Sequence, residues 1–198
     1  NSTPYSVAGN NSPKESNYLP YMAPDGENFR GVNAVRIFSQ DKKYTLDNLI
    51  ADGYDTKLSA FEVLLPALIA NFEKDAQAQE PKFKDLEAPI QVLKNWNYYS
   101  NVNSVATTLA NEWAFKLNPI LQKVYIDEGE KDQVENMSEF AKTAGIDDML
   151  PQLREVIQEL QTKFGKWEIP WGDINRFQRP SGDIDLTYDD NKESLAMG

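Results

Sequence analysis

Histidine and cysteine are both absent from the 198 residues. Without cysteine the chain has no thiol nucleophile, no disulfide framework and no thiolate metal site, and its redox compartment cannot be read. Without histidine it has no Ser-His-Asp triad, no imidazole metal ligand and no imidazole acid–base catalyst of its own. Any chemistry must run on carboxylates, hydroxyls, amides, arginines or a terminal amine. An excess of basic residues is missing as well: the net charge is −11. That balance speaks against nucleic acid and anionic membrane surfaces as partners, since a polyanion does not attract an acidic partner, and membrane insertion is not expected either. No apolar run approaches the ~20 residues of a membrane-spanning helix, and the start has no signal-peptide pattern. The chain opens at Asn1 rather than Met, as a processed chain or an excised piece would.

What is present is a packed core's worth of apolar residues, 40% of the chain with 11% aromatics. Residues 1–26 hold Pro, Gly, Asn and Ser too densely for a regular element, yet Tyr5, Tyr18, Leu19, Tyr21 and Met22 are too apolar for a free tail. They read as an irregular arm. From residue 27 to 165 the pattern is helical. Phe29, Val32, Val35 and Phe38 mark a short helix, and Thr45 caps another that stops at Gly53. Leu58, Phe61, Leu65, Leu68 and Phe72 form one apolar face, with Pro66 expected to kink or break it. Leu86, Ile90, Leu93 and Trp96 follow, and then Ser104 caps a run through Leu109, Trp113, Leu117 and Ile120 that weakens near Pro119. A polar connector precedes the clearest helix, with Met149, Leu153, Val156 and Leu160 along one edge and Gly165 at its end. In the return segment, 166–198, Trp167, Ile169 and Trp171 alternate, as do Ile184, Leu186 and Tyr188, which predicts short strands. The expected fold is mainly α: a bundle of about six helices with a long irregular arm and short β segments near the C-terminus.

Sites are sparse at this level. Asp183, Asp185, Thr187 and Asp189 match the first ligand positions of a calcium loop, but Tyr188 and Ser194 stand where Gly and Glu are needed. An alternating strand with an acidic solvated face is the better reading, and no metal site is assigned. There is no Walker loop and no dinucleotide fingerprint. "NSTPY" sets Asn1 ahead of a Ser-Thr-Pro turn, where a rigid amide can donate to an oxyanion. Arg30 and Arg36 lie on the first helix without sharing a face closely. The "PWGDINRFQR" stretch pairs aromatics with Gly172, which is expected to permit a turn, and with Arg176 and Arg179, expected to hold carboxylates or carbonyls.

Taken in order, "NSTPY" at 1–5, "NFRGVNAVRIF" at 28–38, "LLPALIANFEK" at 64–74, "VLKNWNYYSNVNSVATTLANEW" at 92–113 and "FGKWEIPWGDINRFQR" at 164–179 resemble the penicillin acylase family of N-terminal-nucleophile hydrolases. That family includes penicillin, cephalosporin, acyl-homoserine-lactone and aculeacin acylases. The resemblance implies a precursor that cuts itself to free a β-chain beginning with a nucleophilic Ser. The α-amino group of that Ser is its base, so neither His nor Cys is needed. A backbone N–H and an Asn side chain hold the oxyanion while a linear amide is cleaved through an acyl-enzyme. Carried onto this chain, the oxyanion Asn is Asn1 and the active-site Arg is Arg30; no substrate-binding residue is assigned. The Ser is not here, because residue 1 is Asn. The expectation is therefore an internal piece of the β-chain that alone hydrolyses nothing. Its partners would be the rest of the β-chain, the α-chain and a small acyl-amide substrate. No cofactor is expected, although the family's enzymes hold calcium at residues that have no recognisable counterpart here, and the location implied is periplasmic or secreted. Two other classes stay open: a non-catalytic binding module on an acylase-derived scaffold, and a free-standing helical adaptor.

Overall fold

The computed structural model describes residues 3–40, 42–128, 132–178, 188–189 and 191–198. Its fold is mainly α. Helices α1 (Phe29–Phe38), α2 (Leu46–Gly53), α3 (Phe61–Ala76), α4 (Glu87–Lys94), α5 (Val105–Glu128), α6 (Gln133–Thr143), α7 (Ile146–Phe164) and α8 (Trp171–Ile174) follow in order. One two-stranded ribbon, β1 (Arg176–Phe177) with β2 (Leu195–Ala196), runs antiparallel with Arg176 opposite Ala196. Among its described residues the arm carries three short 3-10 turns, at Gly9–Asn11, Glu15–Asn17 and Pro20–Met22.

The core lies among α3 to α7. Leu65, Leu68, Leu86, Leu109, Trp113, Leu117, Met149, Leu150 and Leu153 have no exposed surface. At ~25 cal/mol per Å2 of apolar area removed from water, this cluster supplies most of what holds the bundle together. Polar ties fix its registry. The Trp113 indole donates to the Met149 carbonyl at 3.1 Å, and Asp75, buried at the end of α3, accepts from the Lys82 and Phe83 N–H groups at 3.1 and 2.9 Å. Gly165 ends α7 in the left-handed region, φ +75°, a backbone conformation that residues with a Cβ rarely adopt even though the space around it is open.

Four expectations need correction. The break expected at Pro66 does not occur, since helix α3 is continuous through it. That proline sits on the exposed face early in the helix, so the carbonyl it leaves unpaired, on exposed Glu62, faces water. Phe38 is exposed, and the buried anchor of α1 is Ile37. Helix α6 occupies the end of the supposed connector: Asp132 accepts from the Glu135 N–H at 2.8 Å and starts a helix whose buried residues are Asn136 and Phe140. Trp167, Ile169 and Trp171 form no strand. Trp167 lies in a bend, Ile169 is buried, and Trp171 opens α8. The ladder that would have consumed their backbone groups is replaced by bonds to the loop before α5, with Trp171 N–H donating to Ser104 and Gly172 N–H to Val102 at 3.1 and 2.8 Å. Tyr188 is outside any strand, and Ile184 and Leu186 lie outside the described residues.

Candidate functional site

The return segment and the first helix meet across a cleft of about 780 Å3. One wall comes from the bundle side: Phe115 and Asn111 on α5, Ser100 before it, and Trp171 and Asn175 on or beside α8. The opposite wall is α1, which presents Arg30, Asn33, Ala34 and Ile37 at helical spacing. The floor is the turn from Asp55 to Phe61. The walls are largely apolar and aromatic, with a few convergent polar groups, the usual make-up of a small-molecule cleft.

Each wall is set by local chemistry. Asn28 caps α1 by accepting from the Gly31 N–H at 3.0 Å, and Thr45 and Asn48 form a reciprocal capping box at the start of α2. The Asp55–Phe61 turn is pinned to the loop before α5. Thr56 and Ser100 exchange bonds, with Ser100 N–H donating to the Thr56 carbonyl at 3.0 Å and the Thr56 hydroxyl to the Ser100 carbonyl at 2.9 Å. Leu58 N–H donates to the Tyr98 carbonyl at 2.8 Å, and Tyr98 takes a left-handed φ of +67° to offer it. On the bundle side, the buried Thr108 hydroxyl donates to the Ile169 carbonyl at 2.7 Å, which fixes the segment entering α8.

At the base of α1 is a four-residue polar cluster. The Asn33 side chain donates to Asp55 at 2.9 Å, while its oxygen accepts from Arg36 Nε and Nη2 at 3.0 and 2.7 Å and from the Ser59 hydroxyl at 3.3 Å. The Arg36 guanidinium also reaches Asp55 at 3.3 Å, and the Lys57 N–H donates to Asp55 at 3.1 Å. Burial opposes ionisation of Asp55, but the Asn33 amide, the Lys57 N–H and the Arg36 charge outweigh it and hold the carboxyl below its ordinary value.

Of the residues singled out in the sequence, Arg30 lines this cleft, is exposed, and has no hydrogen-bond or ion-pair partner among the described residues. Asn1 lies outside the described residues, so its distance from Arg30 is not defined. Arg179, Asp183, Asp185 and Thr187 lie outside them too, and among the described residues no group of carboxylates could hold a metal ion. Arg176 binds carbonyls: it donates to Gly172 at 3.0 Å and to Ser194, at its carbonyl and hydroxyl, at 2.6 and 2.7 Å. Sequence reasoning missed Asn33, Asp55, Ser59, Phe115 and the cleft-facing role of Trp171. The one local signal was Asn33 three residues before Arg36, a spacing that lets the two side chains meet.

Among the described residues no helix is long and apolar enough to cross a membrane. An arginine free to meet a ligand over aromatic walls, in a chain without His or Cys, is consistent with the acylase-type amidohydrolases, and a comparison with family models bears that class out. The chain belongs to the penicillin amidase family, whose model matches residues 1–195. No curated protein matches it.

Proposed function

We propose that this chain is the helical part of an acyl-amide hydrolase whose nucleophile, an N-terminal Ser, lies outside residues 1–198. In this reading the Ser hydroxyl attacks the amide carbonyl and gives its proton to its own α-amino group. Asn1 donates its side-chain N–H to the tetrahedral oxyanion, the amine leaves with the proton, and water then releases the acid from the ester. Arg30 orients the substrate, and the aromatic wall of Phe115 and Trp171 borders the acyl chain. The remainder of the β-chain and the α-chain supply the other walls. The substrate is a small amine carrying an acyl chain, of the penicillin, acyl-homoserine-lactone or lipopeptide type, and the enzyme works in the periplasm or outside the cell.

The observation that supports the finer reading is Arg30, unengaged among the described residues at the edge of an apolar-walled cleft. The test is the intact mass and N-terminal sequence of the mature chains of the full-length protein, followed by turnover of an acyl-amide panel. A self-cleaved chain that begins with Ser, contains these residues and loses turnover on Asn1→Ala agrees with the proposal. An uncut chain without such a Ser refutes it and leaves a non-catalytic binding module. Residues 1–198 alone are expected to hydrolyse nothing, and acyl release above background by that chain would refute the assignment of the nucleophile elsewhere.

A further inference from the structure

We propose that Asp55, acting through the Asn33 amide, is the positioning residue that aims Arg30 into the cleft. The inference rests on the reading that Arg30 meets substrate. It starts from how little else holds α1. Ile37 is the one buried residue of its ten, so apolar packing gives the helix weak purchase and leaves its rotation to polar contacts.

The Phe29 N–H donates to the Gln133 side chain at 3.5 Å and the Tyr44 hydroxyl to the Ile37 carbonyl at 3.3 Å, at the two ends of the helix; on its cleft face the contacts converge on a single side chain. Arg30 and Asn33 are one turn apart and line the same cleft, so whatever fixes Asn33 fixes the helix rotation that presents Arg30 to it. Asn33 uses its amide hydrogen on Asp55 and its oxygen on Arg36 and Ser59. Only this orientation works, because a flipped amide would aim its N–H2 at the guanidinium and leave its oxygen facing a carboxylate. The ionised Asp55 therefore selects the rotamer of Asn33. Asp55 is itself fixed from the other side, by the Lys57 N–H and by its place on the turn pinned to Ser100. The result is a rigid link from the loop before α5, through Asp55 and Asn33, to the helix carrying Arg30. Arg36 closes the cluster and so cannot also serve the substrate, which separates the roles of the two arginines.

The test uses the full-length protein and a double-mutant cycle. Asp55→Asn keeps the shape but turns one carboxylate oxygen, 3.4 Å from the Arg36 guanidinium, into a donor. It should lower kcat/KM about 10- to 100-fold, the scale of an ångström-level misplacement. In an Arg30→Ala background the same change should cost almost nothing, because the group it aims is gone. Asn33→Ala should reproduce the loss and serves if Asp55→Asn fails to fold, which circular dichroism would reveal. Additive losses in the Arg30→Ala background, or unchanged turnover in both variants, overturn the proposal. A wild-type protein that turns over no acyl amide, or an Arg30→Ala variant as active as wild type, would instead sink the reading of the site, and the proposal with it.

Discussion

Replacing Gly172 by Ala tests whether the return segment is held by close approach. An added Cβ would lie 2.9 Å from the Val102 Cβ, 3.0 Å from the Ala196 Cβ and 3.1 Å from the Val102 carbonyl oxygen. Ordinary carbon contacts are about 3.5–4.0 Å. None of the three neighbours can swing away by changing rotamer, because each is backbone or fixed to it. The segment must therefore move, stretching the 2.8 Å bond from Gly172 N–H to the Val102 carbonyl. Overpacking costs roughly 1–3 kcal/mol, and three rigid contacts put this case near the upper end. Alanine's better helix propensity in α8 returns about 1 kcal/mol. The net loss should be about 2 kcal/mol, or a Tm lower by about 4–8 °C at this chain length. Urea and thermal unfolding of the purified chain would measure it, and Ala196→Gly should recover part of the loss by removing one obstructing carbon. A variant as stable as wild type, or no recovery in the pair, would refute the close-approach account.

Further outcomes follow from the bundle and its surface. Asp75→Ala should cost about 2–4 kcal/mol in urea unfolding, because it strands the N–H groups of Lys82 and Phe83, the second of them buried. Gly165→Ala should cost about 1 kcal/mol, since α7 ends there at φ +75°; an unchanged midpoint would contradict it. Glu112 is pushed up by burial, with the Lys163, Glu159 and Lys116 charges partly cancelling. A carboxyl whose folded pKa is raised gives its full stability below the ordinary carboxylate value and loses it as pH rises through the raised one. Glu112→Gln should therefore be more stable than wild type near neutral pH and equal to it in acid, as pH-dependent urea midpoints would show.

Helices with strong apolar stripes were legible from spacing alone. The α7 residues Met149, Leu153, Val156 and Leu160 are all buried, as are Leu86, Ile90, Leu93 and Trp96 around α4. Helix α6 was not, because Asn136 occupies a buried position and only Phe140 is a buried apolar residue; its signal was the Asp132 cap. The tail misled because alternation of Trp167, Ile169 and Trp171 resembles a strand whatever the backbone partners are. Gly172 was expected for a turn, but it is needed where two chain segments nearly touch. The cleft was the least legible feature. Its residues come from α1, the Asp55–Phe61 turn, α5 and the return segment, and nothing local connects Asp55 with Ser100 or Trp171. Arg30 was reached through resemblance, whereas its link to Asp55 needed the fold.

The two walls of the cleft differ in how they are anchored, and this bears on amide hydrogen exchange. Helix α5 carries Leu109, Ala110, Trp113 and Leu117 without exposed surface, whereas α1 buries only Ile37 and α2 buries nothing. The α5 amides between Leu109 and Leu117 should therefore exchange only through global unfolding, and those of α1 through a much less costly local opening. A ligand bridging both walls would slow exchange in α1 and leave α5 almost unchanged, so protection of α1 alone would report occupancy before any product is formed.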